Sequence, residues 1–274
     1  MAYKNILLHL TRDSRNDARI NVAVNMAKAH GAHVTALYVI SPPEVPAFVM
    51  AYIPADVLEQ QQADAEAEAK KVQEAFTDQC DREGVANEWR MVNGDSRSVT
   101  AFHAHYADLV IVGQNAPAED RANGTEDLPD ELVLASGRPV LVVPYAGTFD
   151  NLGKTILLAW NGTRESARAM HDALPVMEKA DKVIVYAVNE SSADHIPGAD
   201  ISTHLARHGV SAEAHHTVAR DISIGDALLA AVSDYGADLL VMGAYGHSRV
   251  RELALGGATR DILNTMTVPV MMSH

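Results

Sequence analysis

Glycines and a hydroxyl side chain gather behind one apolar run near the end of the chain. Ala237-Asp238-Leu239-Leu240-Val241-Met242-Gly243 leads to Gly246, then to Gly256, Gly257 and Thr259, and the helix-forming Arg260-Asp261-Ile262-Leu263 follows. Glycines at a strand exit let the backbone take positive φ and approach a ligand with no Cβ in the way. A glycine pair at a helix start bares amide N–H groups at the positive end of the helix dipole. Phosphate is the natural guest of such a loop. The plainer reading is a tight strand-to-helix connection that holds nothing.

An internal control sits earlier in the chain. Gly113 and Pro139 are spaced as Gly243 and Pro269 are, so the two loops align without gaps. Gly246 becomes Ala116, Gly256 becomes Glu126, Gly257 becomes Asp127 and Thr259 becomes Pro129. Acids at 119, 120, 126, 127, 130 and 131 face only Arg121 and Arg138, whereas the second loop sets Arg249, Arg251 and Arg260 against Glu252 and Asp261. Like charges close together are costly, so the first loop should reject a polyphosphate.

Other reactive residues carry weaker signals. His204 and His208 lie at i, i+4 on an expected helix, but no set of further ligands accompanies them, and a polar or pH-sensitive face explains them better than a metal site. His215 and His216 point to opposite faces of a strand, and His103 and His105 diverge on a helix. The single cysteine, Cys80, lies on the apolar stripe of its helix, where a structural role is the default. There is no Gly-x-Ser-x-Gly elbow and no Walker-type Gly-x4-Gly-Lys-Ser/Thr loop, so no catalytic residue is assigned.

The elements that must position the loop come in duplicate. Lys4-Asn5-Ile6-Leu7-Leu8 recurs as Lys154-Thr155-Ile156-Leu157-Leu158, Ala107–Gly113 recurs as Ala237–Gly243, and Arg138-Pro139-Val140-Leu141-Val142 is answered by Val268-Pro269-Val270-Met271-Met272. Each copy alternates short apolar runs with helix-period stretches, the pattern of a parallel sheet covered on both faces. We expect an α/β chain of two tandem Rossmann-like, doubly wound domains, 1–146 and 151–274, each with a five-stranded parallel sheet. Expected strands include Val34–Ile40, Trp89–Val92 and Leu109–Val112 in the first copy, and Val183–Val188, His215–Val218 and Leu239–Met242 in the second. The ligand crevice of such a fold lies at the carboxyl ends of its central strands.

The offset between copies drops from 149 at Val34 and Val183 to 125 at Gly84 and Gly209, which places 24 extra residues in the first copy, within 41–71. This insertion opens with Pro42, Pro43, Pro46 and Pro54 and runs into a helix from about Asp56 to Glu83, closed by Gly84. It is either a core-covering helix or, through segment 41–55, a lid or protein-partner surface.

Composition narrows the partners. A chain of 274 residues that is 47% apolar can bury two cores. A formal charge of -14 argues against nucleic acid or an anionic membrane surface. No apolar run is long enough to cross a membrane and no secretory signal opens the chain, so a cytoplasmic location is expected.

On these residues the chain resembles the universal stress protein family. Gly-x2-Gly-x9-Gly after Ala-Asp-Leu-Leu-Val-Met-Gly is similar to that family's nucleotide-binding loop. Ile156-Leu157-Leu158-Ala159-Trp160-Asn161-Gly162-Thr163-Arg164-Glu165-Ser166 is similar to its first strand and Asp-Gly-Ser turn. The resemblance implies ATP or a related adenine nucleotide, with or without Mg²⁺, in the second domain. Its phosphates would lie on Gly243, Gly246, Gly256 and Thr259, with the N–H of Gly257 nearby, and its nucleoside near Asn161 and Val188. Two departures stand out: Gly257 replaces an expected hydroxyl residue, and Asn161 an expected Asp. The resemblance also implies a regulatory sensor with at most slow hydrolysis. Its two domains would pack through their last strands as an internal pseudo-dimer, with pairing into a homodimer left open. The alternative is a module that binds a protein or hydrophobic ligand and no nucleotide.

Overall fold

Because the apolar runs are nearly continuous, their strands are buried on both faces. The computed structural model describes residues 2–42, 48, 52–115, 127–189, 199–219, 221–246 and 257–274. The first half gives β1 (Asn5–Leu10), α1 (Asn16–His30), β2 (His33–Ile40), α2 (Ala55–Glu83), β3 (Asn87–Asn93), α3 (Ser96–Ala104), β4 (Leu109–Gly113), α4 (Leu128–Ala135) and β5 (Val140–Val143). The second gives β6 (Thr155–Trp160), α5 (Arg164–Met177), β7 (Lys182–Val188), α6 (Ala199–Arg207), β8 (Ala212–Thr217), α7 (Ile224–Tyr235), β9 (Leu239–Gly243), α8 (Ala258–Thr265) and β10 (Val270–Ser273).

Each half is a five-stranded parallel sheet, and the two join into one sheet in the order β3-β2-β1-β4-β5-β10-β9-β6-β7-β8. The seam is the sheet's antiparallel pairing, with Val142 opposite Val270, Leu141 opposite Met271 and Val140 opposite Met272. It closes an edge that each half would otherwise expose. Strand alternation sorts the core into two layers. Ile6, Leu8 and Leu10 meet α1, α2, α5 and α6 through Ile20, Phe76, Ala169 and Ile201 on one face. Leu7, Val110 and Leu240 meet α4, α7 and α8 through Leu132, Leu228 and Ile262 on the other.

The aspartates of the repeated Ala-Asp-Leu motif are structural. The Asp108 carboxylate accepts N–H bonds from Lys4 (2.7 Å) and Asn5 (2.9 Å), and Asp238 accepts them from Gly153 (2.7 Å), Lys154 (3.0 Å) and Thr155 (3.3 Å). Each ties the start of its half's first strand to the start of the fourth.

Helix α2 matches the expected stretch and ends at Gly84 in the left-handed region (φ 66°), where a side chain would be strained. Only its second half is core: Ala69, Phe76 and Cys80 are buried, while most residues of its first two turns are exposed. Burial raises the Cys80 thiol to about 11, so it is a small apolar filler. Most of segment 41–55 falls outside the described residues; within it, Phe48 and Tyr52 are exposed. Strand β8 ends at Thr217, so the expected strand to Val218 is corrected: Val218 is exposed in the connection to α7.

Candidate functional site

Strands β6, β7 and β9 end side by side, and because β7 and β9 flank β6 on opposite sides, their connections part there. A crevice outside the carboxyl ends at such a point is the usual ligand position of doubly wound folds. A cleft of about 470 Å³ opens here, within the range of small-molecule sites. Asn161, Val188, Gly243, Gly246, Gly257 and Thr259 all line it, so residues spread over a hundred positions meet at one place. Gly256, the seventh expected ligand residue, lies outside the described residues.

One wall is the turn from β6 into α5. Thr163 is the N-cap, and its Oγ1 accepts the Ser166 N–H at 3.4 Å. Asn161 Oδ1 accepts from the Thr163 N–H (3.3 Å) and hydroxyl (2.9 Å), so its oxygen serves the turn and its amide NH₂ is what it can offer a ligand. The opposite wall is the start of α8. Gly257 caps it in extended geometry without a side-chain cap, and the first helical N–H groups, of Ala258 and Thr259, point from a helix N-terminus that the cleft reaches. Thr259 is buried, and its hydroxyl accepts the Tyr245 N–H at 3.3 Å. Trp160, Tyr186, Val188, Ile224, Leu228 and Met242 supply apolar lining. The cleft therefore combines apolar side chains with the N–H groups of a helix start.

The glycines divide by job. A Cβ on Gly243 would lie 2.5 Å from the backbone of Glu165 and Ser166, so glycine there lets α5 pack against β9. A Cβ on Gly246 would meet the Glu165 carboxylate at 3.2 Å and the Thr163 hydroxyl at 3.9 Å. Sequence reasoning passed over Glu165. It is buried in the first turn of α5 and paired with Arg164. Burial pushes its carboxyl up, but hydrogen bonds led by that from Arg164 outweigh this and hold it below the usual carboxylate range, so it is a fixed negative charge behind the loop. Tyr245 was also missed. It lines the cleft with φ 55°, a left-handed conformation that no bulky residue advertises in a sequence.

The equivalent corner of the first half is built differently. A Cβ on Gly113 would lie 2.4 Å from the Arg19 guanidinium. Buried Arg19 donates to Asp13 (2.7 Å) and Asn16 (2.6 Å), so a side-chain network stands beside the strand end where the second half opens its cleft. At the start of α4, Asp127 is the N-cap and Pro129, which has no N–H to give, aligns with Thr259.

The histidine pair acquires a third member. His204 and His208 have ring centroids 4.9 Å apart, and His171 of α5 stands 5.4 and 6.3 Å from them. Among the described residues no group of three His, Cys, Asp or Glu is arranged to hold a metal ion, and no helix is long and apolar enough to cross a membrane.

The sheet order, the paired halves and the cleft at the strand ends define a tandem, doubly wound α/β protein. Its sequence matches the universal stress protein family twice, over residues 2–144 and 153–274, and the chain belongs to that family. A universal stress protein from Synechocystis sp. is 27% identical over 169 residues, which cover 60% of this chain and 57% of that protein's length. Among solved structures, a universal stress protein from Archaeoglobus fulgidus covers 98% of this chain and 95% of its own at 16% identity with a TM-score of 0.76. A protein of unknown function from Pseudomonas aeruginosa covers 99% and 92% at 16% identity with a TM-score of 0.61.

Proposed function

We propose that the second half binds ATP or a related adenine nucleotide in this cleft, and that the chain works in the cytoplasm as a nucleotide-sensing regulatory module. The observation that carries the reading is the convergence of Asn161, Val188, Gly243, Gly246, Gly257 and Thr259 on one cleft whose lining also includes an uncapped helix start and several large apolar side chains. The phosphates would take the N–H groups at the start of α8, where the helix dipole favours an anion. The base would lie against Trp160 and Val188. The carboxylate nearest the cleft, Glu165, stands behind Gly246 and is engaged by Arg164, and Asn161 holds the turn position without a charge, so we propose slow or no hydrolysis.

Calorimetry with ATP and AMP tests this, together with mass spectrometry of small molecules released from protein purified without added nucleotide. One site per chain is expected. Gly257→Asp, which installs the first half's aligned residue, is the discriminating variant. The N-cap geometry (φ -78°, ψ 148°) accepts Asp, and Asp is a favoured cap, so stability should hold or rise while a carboxylate confronts the phosphates. Affinity should fall at least about tenfold, the effect of a lost charge-assisted hydrogen bond plus repulsion. Unchanged affinity, or two equivalent sites, would defeat the assignment. The reading as a nucleotide-free interaction module has one observation in its favour, the exposed Phe48 and Tyr52 ahead of α2.

A further inference from the structure

The two halves touch at the cleft itself. The hydroxyl of Tyr245, in the second half's loop, donates to the carboxylate of Asp130 on α4 of the first half. Tyr245 is a poor residue for the left-handed region it occupies, and such strain persists only where surrounding bonds over-determine it. The bonds are visible. Its backbone N–H is held by Thr259 at 3.3 Å and its side chain by Asp130, so the strand exit, the start of α8 and α4 are fastened through this one residue. Gln114 makes a second tie across the halves. Its Nε2 donates to the Leu263 carbonyl near the end of α8 (2.8 Å) while its Oε1 accepts the Tyr145 N–H (2.9 Å). Asp130 is half-buried, and burial, with the Asp127 charge beside it, pushes its carboxyl above the usual carboxylate range against the opposing pull of the Tyr245 bond and the Arg260 charge.

We infer that Asp130 and Tyr245 form a latch between the halves that positions the second half's strand exit at 244–246 against the start of α8, so that the first half, with alanine and acids at the positions of Gly246, Gly256 and Gly257 and proline at that of Thr259, acts as a built-in support for the other's site. This rests on the proposed nucleotide cleft for its consequence, but its geometry does not depend on what the cleft binds. Tyr245 and Asp130 are positioning residues. The latch fixes the left-handed turn at 245, and with it the bond from the Tyr245 N–H to the hydroxyl of cleft-lining Thr259 and the position of cleft-lining Gly246.

The test uses full-length Tyr245→Phe, Asp130→Leu and the double variant. Phe keeps the ring against the cleft but has no hydroxyl to donate, and Leu keeps about the bulk of Asp130 but has no oxygen to accept, so each removes the bond. Amide hydrogen exchange at Ala244–Gly246 should speed up by about tenfold or more in each single variant, while the core of β6 and β9 exchanges as before. Calorimetry with ATP should show each single variant binding about five- to twentyfold more weakly, and the double no weaker than the worse single, because two groups in one contact are non-additive. Unchanged exchange at 244–246, or effects on affinity that multiply, would overturn the latch. If the unaltered protein binds no adenine nucleotide, the nucleotide assignment fails, and the exchange comparison still decides the latch.

Discussion

Gly243 and Gly246 look alike in the sequence and differ in what replaces their missing side chains. At Gly243 the obstacle is helix backbone 2.5 Å away, which cannot yield, whereas at Gly246 it is the end of a glutamate at 3.2 Å, which can. Gly243→Ala should therefore destabilise the fold by about 1–3 kcal/mol, the usual cost of overpacking. Gly246→Ala should cost less than about 1 kcal/mol and show its effect as changed ligand affinity, and Gly246→Val should remove binding. Denaturant titration and calorimetry on the variants separate the two roles, and equal stability losses at both positions would refute the division. That Gly243, Gly246, Gly257 and Thr259 gather at one place was legible from glycine spacing and the contrast with the first copy. Glu165 and Tyr245 were not legible, because a helix-start glutamate reads as a dipole complement and a tyrosine between Ala and Gly gives no sign of positive φ.

Elements were read more securely than side chains, because apolar runs and duplication report strands regardless of their partners. The expected strand Val34–Ile40 is His33–Ile40, and the expected helix from Asp56 is Ala55–Glu83. The edge strand β8 was misjudged at its end, since its residues alternate weakly and Val218 looked like a continuation. Strand β1 carries a consequence for pH. Burial, with the Arg19 charge adding to it, lowers His9 to about 3, and its Nε2 lies 3.1 Å from Ser96 Oγ. Below the ordinary histidine pKa near 6.5 the unfolded chain takes up a proton that the folded chain refuses. The stability due to neutral His9 is thus complete above about 6.5 and is lost progressively as pH falls toward 3. By pH 5 the loss should reach about 2 kcal/mol. His30, lowered to about 4 chiefly by burial, acts in the same direction. Denaturation at pH 7 and pH 5 measures the sum, and His9→Gln should shrink the difference between the two pH values by His9's share. A His9→Gln protein with the same pH dependence as the unaltered one would show that His9 does not supply it.

At the scale of the whole molecule the seam matters most, because ten strands form one sheet only where β5 meets β10. Val140, Leu141, Val142, Val270, Met271 and Met272 are all fully buried, and Leu141 faces Met271 at the centre of a pairing that reads nearly the same from either side. An edge of this kind, once uncovered, is an apolar template for another strand. The near two-fold symmetry means that a second copy of the same half can supply one, in an isologous contact. The fragment 151–274, freed of the first half, should therefore associate through β10 paired antiparallel with itself, Met271 opposite Met271. Sedimentation at tens of micromolar should show a dimer, and Met271→Lys should return it to a monomer or unfold it by placing a charge at the centre of the seam. The full-length chain carries the same edge already paired and should not associate by this route. A fragment that is folded and monomeric without the substitution would show that β5 is not needed to cover β10, and that the second half is complete as a domain without its seam.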